Sequence, residues 1–416
     1  MPRRPSPESR SPPILPEDAP PPRSARQPIP VRPGWQVESR SSNEARDSLT
    51  CQEEIDDFEE VPSTATTPKC CAVINCGDPL DALDTNKSHS MVVAAGSRGV
   101  LKVYRIHEEW LELVGDLRQI KNRRLNLLYS PSNVSWAKHT EKLIGTTSTN
   151  GSIVMWDLEK LKLETHFKAH TRSATAIEFH PTEKHSVISG SKDALVYLYD
   201  IRIREAVLRF GSGGYDTIRD LKFCINADQK YLFSSCDDSG TVRIWDMRRN
   251  DKPYVMFPAH QGYCSSVSFG PGSRHLVATG GGRDKLIKVW DWSSSPECLY
   301  TVETQAPVAR VYWRPVGNCS QIASCSVVND MNIHVWDIRR PYLPYASFGE
   351  HRDSVTALAF DPSAEHRFIS SGKDGLLILH QFKDAHYPMN YANDICIDTA
   401  PDGMIALAGT FIPFST

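Results

Sequence analysis

Three sets of residues have the types and order of a nucleophile triad: His170, Ser189 and Asp193, then His260, Thr279 and Asp284, then His351, Ser370 and Asp374. A hydroxyl beside an imidazole held by a carboxylate can attack an acyl group, because the imidazole takes the hydroxyl proton and the carboxylate fixes its tautomer. Recurrence argues against that chemistry. A catalytic centre is not copied three times in one chain, whereas a structural device is copied with every repeat it stabilises. Other arrangements fail on context. Gly280-Gly281-Gly282 runs into Arg283-Asp284 in a turn between strands, with no helix N-terminus to hold a phosphate. Cys70, Cys71 and Cys76 are the one thiol cluster, and neither a second CxxC half nor a His pair accompanies it. The sequence therefore predicts no catalytic residue, no metal ligand and no cofactor site.

The elements that must position these histidines are strands. A short β-rich run recurs seven times, ending at Tyr104, Trp156, Tyr199, Trp245, Trp290, Trp336 and His380. Successive ends are 52, 43, 46, 45, 46 and 44 residues apart, close to the period of about 40–45 residues expected of a four-stranded propeller blade. Each unit alternates β-branched and apolar residues over a few positions and breaks at Gly, Asn, Asp or Pro, without a ten-residue helical periodicity. An all-β, seven-bladed propeller is expected over residues 70–393, and each His precedes the end of its third strand by 29 or 30 positions.

Composition agrees with a globular body behind a different leader. Of the 29 prolines in 416 residues, 14 lie in residues 1–69, among serines, arginines and the acidic cluster Glu53, Glu54, Asp56, Asp57, Glu59 and Glu60. Such a stretch buries too little apolar surface to offset about 1–2 kcal/mol of chain entropy per residue, and a disordered tail is expected. Its PxxP spacings, Pro13 to Pro16 and Pro30 to Pro33, are common by chance in so proline-rich a segment. A net charge of -3 gives no bulk drive toward nucleic acid. No apolar run approaches the roughly 20 residues that span a bilayer, and no signal-peptide core follows Met1, so no membrane insertion is expected. Eleven scattered cysteines point to thiols of a reducing compartment, with nucleus or cytoplasm as the default.

Five copies follow their aromatic with Asp, at Asp157, Asp200, Asp246, Asp291 and Asp337. With the His, the Ser or Thr and the turn Asp, this resembles the WD-repeat family. The resemblance implies that His170, Ser189, Asp193 and Tyr199, and likewise His260, Thr279, Asp284 and Trp290, form hydrogen-bonded chains inside the blades, as do His351, Ser370 and Asp374. It also implies a weaker network where Tyr199 and His380 replace Trp. Strings at 148–151, 180–185, 189–193, 281–291, 308–315, 335–341 and 350–353 narrow the resemblance to scaffold subunits of the activating half of the GATOR (SEA) complex. That implies a non-catalytic scaffold of amino-acid-dependent TOR complex 1 activation, cytoplasmic and recruited to the lysosomal or vacuolar surface, with small nucleoporin-like propellers among its partners. Members of that group continue into a helical solenoid and a RING domain; this chain ends at Thr416, and a fragment, a truncated gene model or a short form is expected.

Three features are candidates for partner binding. Arg202, Arg248, Arg339 and Arg340 follow the third strands; pairing with rim aspartates is the plain expectation. Trp-Asp-x-Arg at Arg248 and Arg339 also matches the motif by which some propellers dock on a cullin ligase adaptor, and a substrate receptor of a cullin-RING ligase is the alternative function. Loops with exposed-type anchors, Lys121–Arg124, Trp292 and Arg340–Tyr345 with Tyr342, form the second group. Third, residues 394–416 read as a surplus hairpin, with Ile395, Ile397, Ile405 and Leu407 on its strands. If the first blade begins at Cys71–Ile74, this hairpin either closes the ring or starts a blade that completes a partner propeller.

Overall fold

The computed structural model of the chain describes residues 72–118, 131–203, 205–211, 216–272, 275–315 and 320–390, and the backbone of 395–399 and 405–409. The expected tail, and the loop at Lys121–Arg124, lie outside the described residues. Seven four-stranded antiparallel sheets stand around an axis. From the axis outward, blade 1 is Leu80–Thr85, Met91–Gly96, Leu101–Ile106 and Leu111–Asp116, and blade 2 is Pro131–Trp136, Leu143–Ser148, Ile153–Asp157 and Lys162–Phe167. Blade 3 is Ala174–Phe179, Ser186–Ser191, Val196–Asp200 and Ala206–Phe210; blade 4 is Ile218–Phe223, Leu232–Asp237, Thr241–Asp246 and Val255–Pro258. Blade 5 is Cys264–Phe269, Leu276–Gly281, Leu286–Asp291 and Glu297–Glu303; blade 6 is Val308–Trp313, Gln321–Ser326, Ile333–Asp337 and Ala346–Phe348. Blade 7 takes three strands, Val355–Phe360, Arg367–Gly372 and Leu376–Gln381, from the end of the ring and its outer strand, Ala72–Asn75, from the beginning.

That last pairing corrects the expected frame. Ala72 faces Leu379 and Asn75 faces Leu376, and the Cys76 N–H continues the ladder to the Gly375 carbonyl at 2.8 Å. The segment expected to open blade 1 thus closes blade 7, and blade 1 begins at Leu80. The ring does not use the C-terminal hairpin: Ile395–Thr399 and Ile405–Gly409 pair with each other, Ile397 opposite Leu407, in a two-stranded sheet of their own.

Propeller packing follows from strand alternation. The innermost strands of blades 1, 3, 5 and 7 repeat one burial order, with apolar residues turned to the neighbouring sheets, as in Val355–Phe360. The cores lie between blades; Val134, Trp136 and Trp156 of blade 2, for example, pack on Ala82, Val93 and Val103 of blade 1. All seven innermost strands carry a β-bulge after their first residue, which raises local twist where the sheets crowd the axis. Three bulged hydroxyls clasp the next blade: Ser132 donates to the Ala174 carbonyl at 2.6 Å, Thr175 to Ile218 at 2.6 Å and Ser265 to Val308 at 2.7 Å.

The inner edges face a central channel and would present unpaired amides. Side chains of the preceding blade satisfy several of them. Asp84 accepts from the Trp136 N–H at 2.7 Å, Glu178 from Phe223, Asp220 from Val267 at 3.3 Å and Ser266 from Val311 at 3.3 Å. Opposed charges complete the lining, Lys138 with Asp84, Lys222 with Glu178 and Arg310 with Asp220. They surround a cavity of about 210 Å³. Burial pushes the Glu178 carboxyl up to about 7 despite Lys222.

Candidate interaction surfaces

The three trios assemble, each within one blade. In blade 3 the His170 Nδ1 lies 3.1 Å from Asp193 and its Nε2 2.8 Å from Ser189 Oγ, which is 3.2 Å from the Tyr199 hydroxyl. In blade 5 His260 Nδ1 is 2.9 Å from Asp284, Nε2 is 2.8 Å from Thr279 Oγ1, and the Trp290 indole N–H donates to Thr279 at 3.1 Å. Burial raises the carboxyls of Asp193 and Asp284, but the His hydrogen bonds and the neighbouring amides outweigh it and hold both below the usual range. The hydroxyls that would serve as nucleophiles, Ser189 and Thr279, are fully buried and bonded on their other side to Tyr199 and Trp290, out of reach of an acyl group. Second-strand residues must stay small here: a Cβ at Gly281 or Gly372 would collide with the His and Asp side chains of its blade.

Three blades without the upstream His keep the inner half of the chain. Trp156 donates to Thr146 at 2.9 Å, Trp245 to Ser235 at 3.0 Å and Trp336 to Ser324 at 2.9 Å. In blade 1, Tyr104 meets Cys76 Sγ at 3.2 Å instead. Blade 7 lengthens the chain. Asp374 faces His351 Nδ1 at 2.9 Å, Ser370 Oγ lies 2.7 Å from His351 Nε2 and 2.7 Å from His380 Nε2, and His380 Nδ1 lies 3.3 Å from Glu350. The Glu350 contact lacks hydrogen-bond geometry, so the chain has three links, and Ser370 supplies the proton of one, to His351 Nε2. Two neutral imidazoles supply the other two, from His351 Nδ1 to Asp374 and from His380 Nε2 to Ser370. Burial lowers the affinity of His380 for a proton while Glu350 opposes it.

The arginines divide. Arg202 and Arg248 fold back on the aspartates of their own turns, Asp200 and Asp246, with nearest contacts of 2.6 Å in each pair, and Arg248 also covers the Tyr231 ring at 4.6 Å. The Arg202 side-chain hydrogen bond holds Asp200 at about 2. Arg339 and Arg340 are exposed, and the Arg339 contact to Asp337 runs through its backbone amide at 3.0 Å. Tyr342 is exposed beside them, but Trp292 is not: it is 1% exposed and packs against Phe269 and His275 in the core, so it is not a loop anchor.

The course of the chain beyond the last blade strand has no local signature in the sequence. After Gln381 the chain turns through Phe382–Asp384, and His386 forms a bridge with Ser347 that covers the outer edge of blade 6, at 2.8 and 3.0 Å. Tyr387 packs on Tyr345 at 5.6 Å, and the Arg314 guanidinium lies 3.7 Å above Phe382. The path to Ile395 thus starts beside the Arg340–Tyr345 loop. The aromatics Phe382 and Tyr387 signal that this segment is covered, but nothing local says which edge they meet. Among the described residues no group of His, Cys, Asp and Glu could hold a metal, no helix is long and apolar enough to cross a membrane, and Cys76, Cys224, Cys236, Cys264, Cys298 and Cys325 are free thiols.

Comparison with known proteins agrees with this architecture. The WD domain, G-beta repeat, matches residues 161–200, 208–246, 251–291 and 343–381. The chain is 39% identical over 321 residues to GATOR2 complex protein WDR24 of Homo sapiens, covering 76% of this chain and 40% of that protein. It is 38% identical over 320 residues to the Danio rerio protein of the same name, with the same coverage, and 32% identical over 334 residues to that of Dictyostelium discoideum, covering 78% of this chain and 31% of that protein. The chain thus spans less than half the length of these relatives. Among solved structures, a chain of the mitotic checkpoint complex superposes with a TM-score of 0.63 at 19% identity, covering 83% of this chain and 99% of that one. Seven closed blades, the His–Ser/Thr–Asp chains and the matched repeats together make this chain a member of the WD40-repeat propellers.

Proposed function

We propose that this propeller is a non-catalytic scaffold subunit of the GATOR2 (SEA) assembly and promotes amino-acid-dependent activation of TOR complex 1 signalling at the lysosomal or vacuolar surface. The observation that carries the proposal is the identity of 38–39% to GATOR2 complex protein WDR24 along 76% of the chain. A closed ring whose histidines are spent on internal bonds offers surfaces, not reagents, and its mechanism is assembly. The hairpin at Ile395–Thr399 and Ile405–Gly409 supplies the attachment. Among the described residues its two edges are unpaired, the segment before it packs on Tyr345 and Ser347 of blade 6, and its strand pair is suited to start a blade in an incomplete partner propeller.

Affinity purification of the tagged chain tests this reading. Small nucleoporin-like propellers are expected to copurify, to be lost when residues 394–416 are deleted, and to persist in the Arg248→Ala, Arg339→Ala double variant. Recovery of a cullin adaptor that this double variant abolishes, with no small propeller recovered, would replace the proposal with the ligase-receptor alternative.

A further inference from the structure

Antiparallel order puts the turns between second and third strands on one face of the ring, together with the connections between blades. Their amides join them: the first residue of such a turn donates to the preceding connection, Lys192 to Ser173 at 3.0 Å, Val327 to Pro307 at 2.9 Å and Lys373 to Ser354 at 2.9 Å. Six of these turns have three or four residues and expose no large apolar side chain. Blade 6 breaks the rule. Its turn, 327–332, has six residues, and Val327, Val328 and Met331 are 40%, 53% and 44% exposed.

This loop is held rather than loose. His334 Nε2 lies 2.9 Å from Asp330 and its Nδ1 2.8 Å from Ser347 Oγ, and Asp330 also accepts from the Asn332 amide at 3.0 Å. The chain that locks the other blades internally is here turned to bracing an apolar tip. Apolar side chains fixed in solvent, with no role in the core, are what a partner buries.

The charges around the tip say what kind of partner. The turn carboxylates of this face are consumed by histidines, Asp284 by His260, Asp330 by His334 and Asp374 by His351. Their basic neighbours remain. Lys168, Arg172, Lys192, Arg283, Lys285 and Arg352 are exposed without an ion pair among the described residues, against Asp216, Glu303 and Asp353. Lys285 borders the tip through blade 5, where its carbonyl accepts from the Thr304 amide at 2.9 Å; Arg283 stands two residues earlier in the same turn, and on the blade 7 side Arg352 lies in the connection whose Gly349 abuts Asn332 of the loop.

We infer that the Val327–Met331 tip and its basic border bind an acidic protein segment carrying a large apolar anchor, the anchor seated on Val328 and Met331 and the acids on Arg283, Lys285 and Arg352. The probes are three immobilised libraries of 12-residue peptides, with a Leu, Phe or Met centre between Asp/Glu flanks, the same centre between Lys/Arg flanks, and Asp/Glu flanks around a Ser centre. The full chain is expected to bind the first at least tenfold better than the other two. Val328→Glu with Met331→Glu, and separately Arg283→Glu with Lys285→Glu, should each weaken that binding at least tenfold, with circular dichroism unchanged because all four side chains are exposed. Arg202→Ala on the opposite face should have no effect. Equal retention by all libraries, binding insensitive to either double variant, or capture by phosphatidylserine vesicles in preference to the acidic library would overturn the inference.

Discussion

If the His–Ser/Thr chains hold the blades rather than perform chemistry, the cost of cutting one should scale with the number of groups it strands. Ser189 and Ser235 occupy equivalent second-strand positions, 0% and 1% exposed. Both lose the same single oxygen when changed to Ala, so the cavity term is matched. Ser235→Ala strands one group, the Trp245 indole N–H, which donates to it at 3.0 Å. Ser189→Ala strands two, His170 Nε2 at 2.8 Å and the Tyr199 hydroxyl at 3.2 Å. A buried polar group left without its partner costs about 1–3 kcal/mol. The expected losses are therefore about 1–3 kcal/mol for Ser235→Ala and about twice that for Ser189→Ala, a large part of a typical total stability of about 5–15 kcal/mol. Equilibrium urea denaturation followed by tryptophan fluorescence and by circular dichroism measures both, provided the two probes coincide and the m-values match the parent. Losses equal within about 0.5 kcal/mol, the usual limit of such comparisons, would refute the counting.

Three further outcomes concern protonation. Asp193, Asp284 and Asp374 lie below their ordinary value of 3.8 in the fold; a depressed folded value means stability that is present above about pH 4 and lost as pH falls further, so acid titration of the Asp193→Asn variant should show a shallower loss below pH 4 than the parent. Glu178 is shifted the other way, from 4.5 to about 7: the fold prefers its protonated form, stability falls as pH rises through that window, and Glu178→Gln, which can still accept the Phe223 amide, should gain relative to the parent at pH 8 and not at pH 4 in thermal melts. In blade 7, long-range nitrogen spectra of the imidazoles should place the His351 proton on Nδ1, facing Asp374, and the His380 proton on Nε2, facing Ser370; a His380 proton on Nδ1 alone would break the chain as described.

Much of the ring was written locally. The seven aromatic ends and their 43–52-residue spacing announce the blades, because strand alternation and turn residues act over a few positions and repeat with the unit. The trios His170–Ser189–Asp193, His260–Thr279–Asp284 and His351–Ser370–Asp374 could be grouped from the same period, since each lies inside one blade. The folded chain decided what periodicity leaves open. Ala72–Asn75 and the C-terminal hairpin are both short apolar strands, and only closure of the circle, across some 300 residues of chain, determines that the first of them pairs with Leu376–Gln381. Trp292 reads as an exposed loop residue until its packing against Phe269 and His275 is seen. The charge pairs of the channel join side chains far apart in sequence whose strands meet only at the axis, as Lys222 meets Glu178 and Arg310 meets Asp220. Local pattern sets which segments become strands, but the partner of an edge or a buried charge is whatever group the closed ring brings within bonding distance.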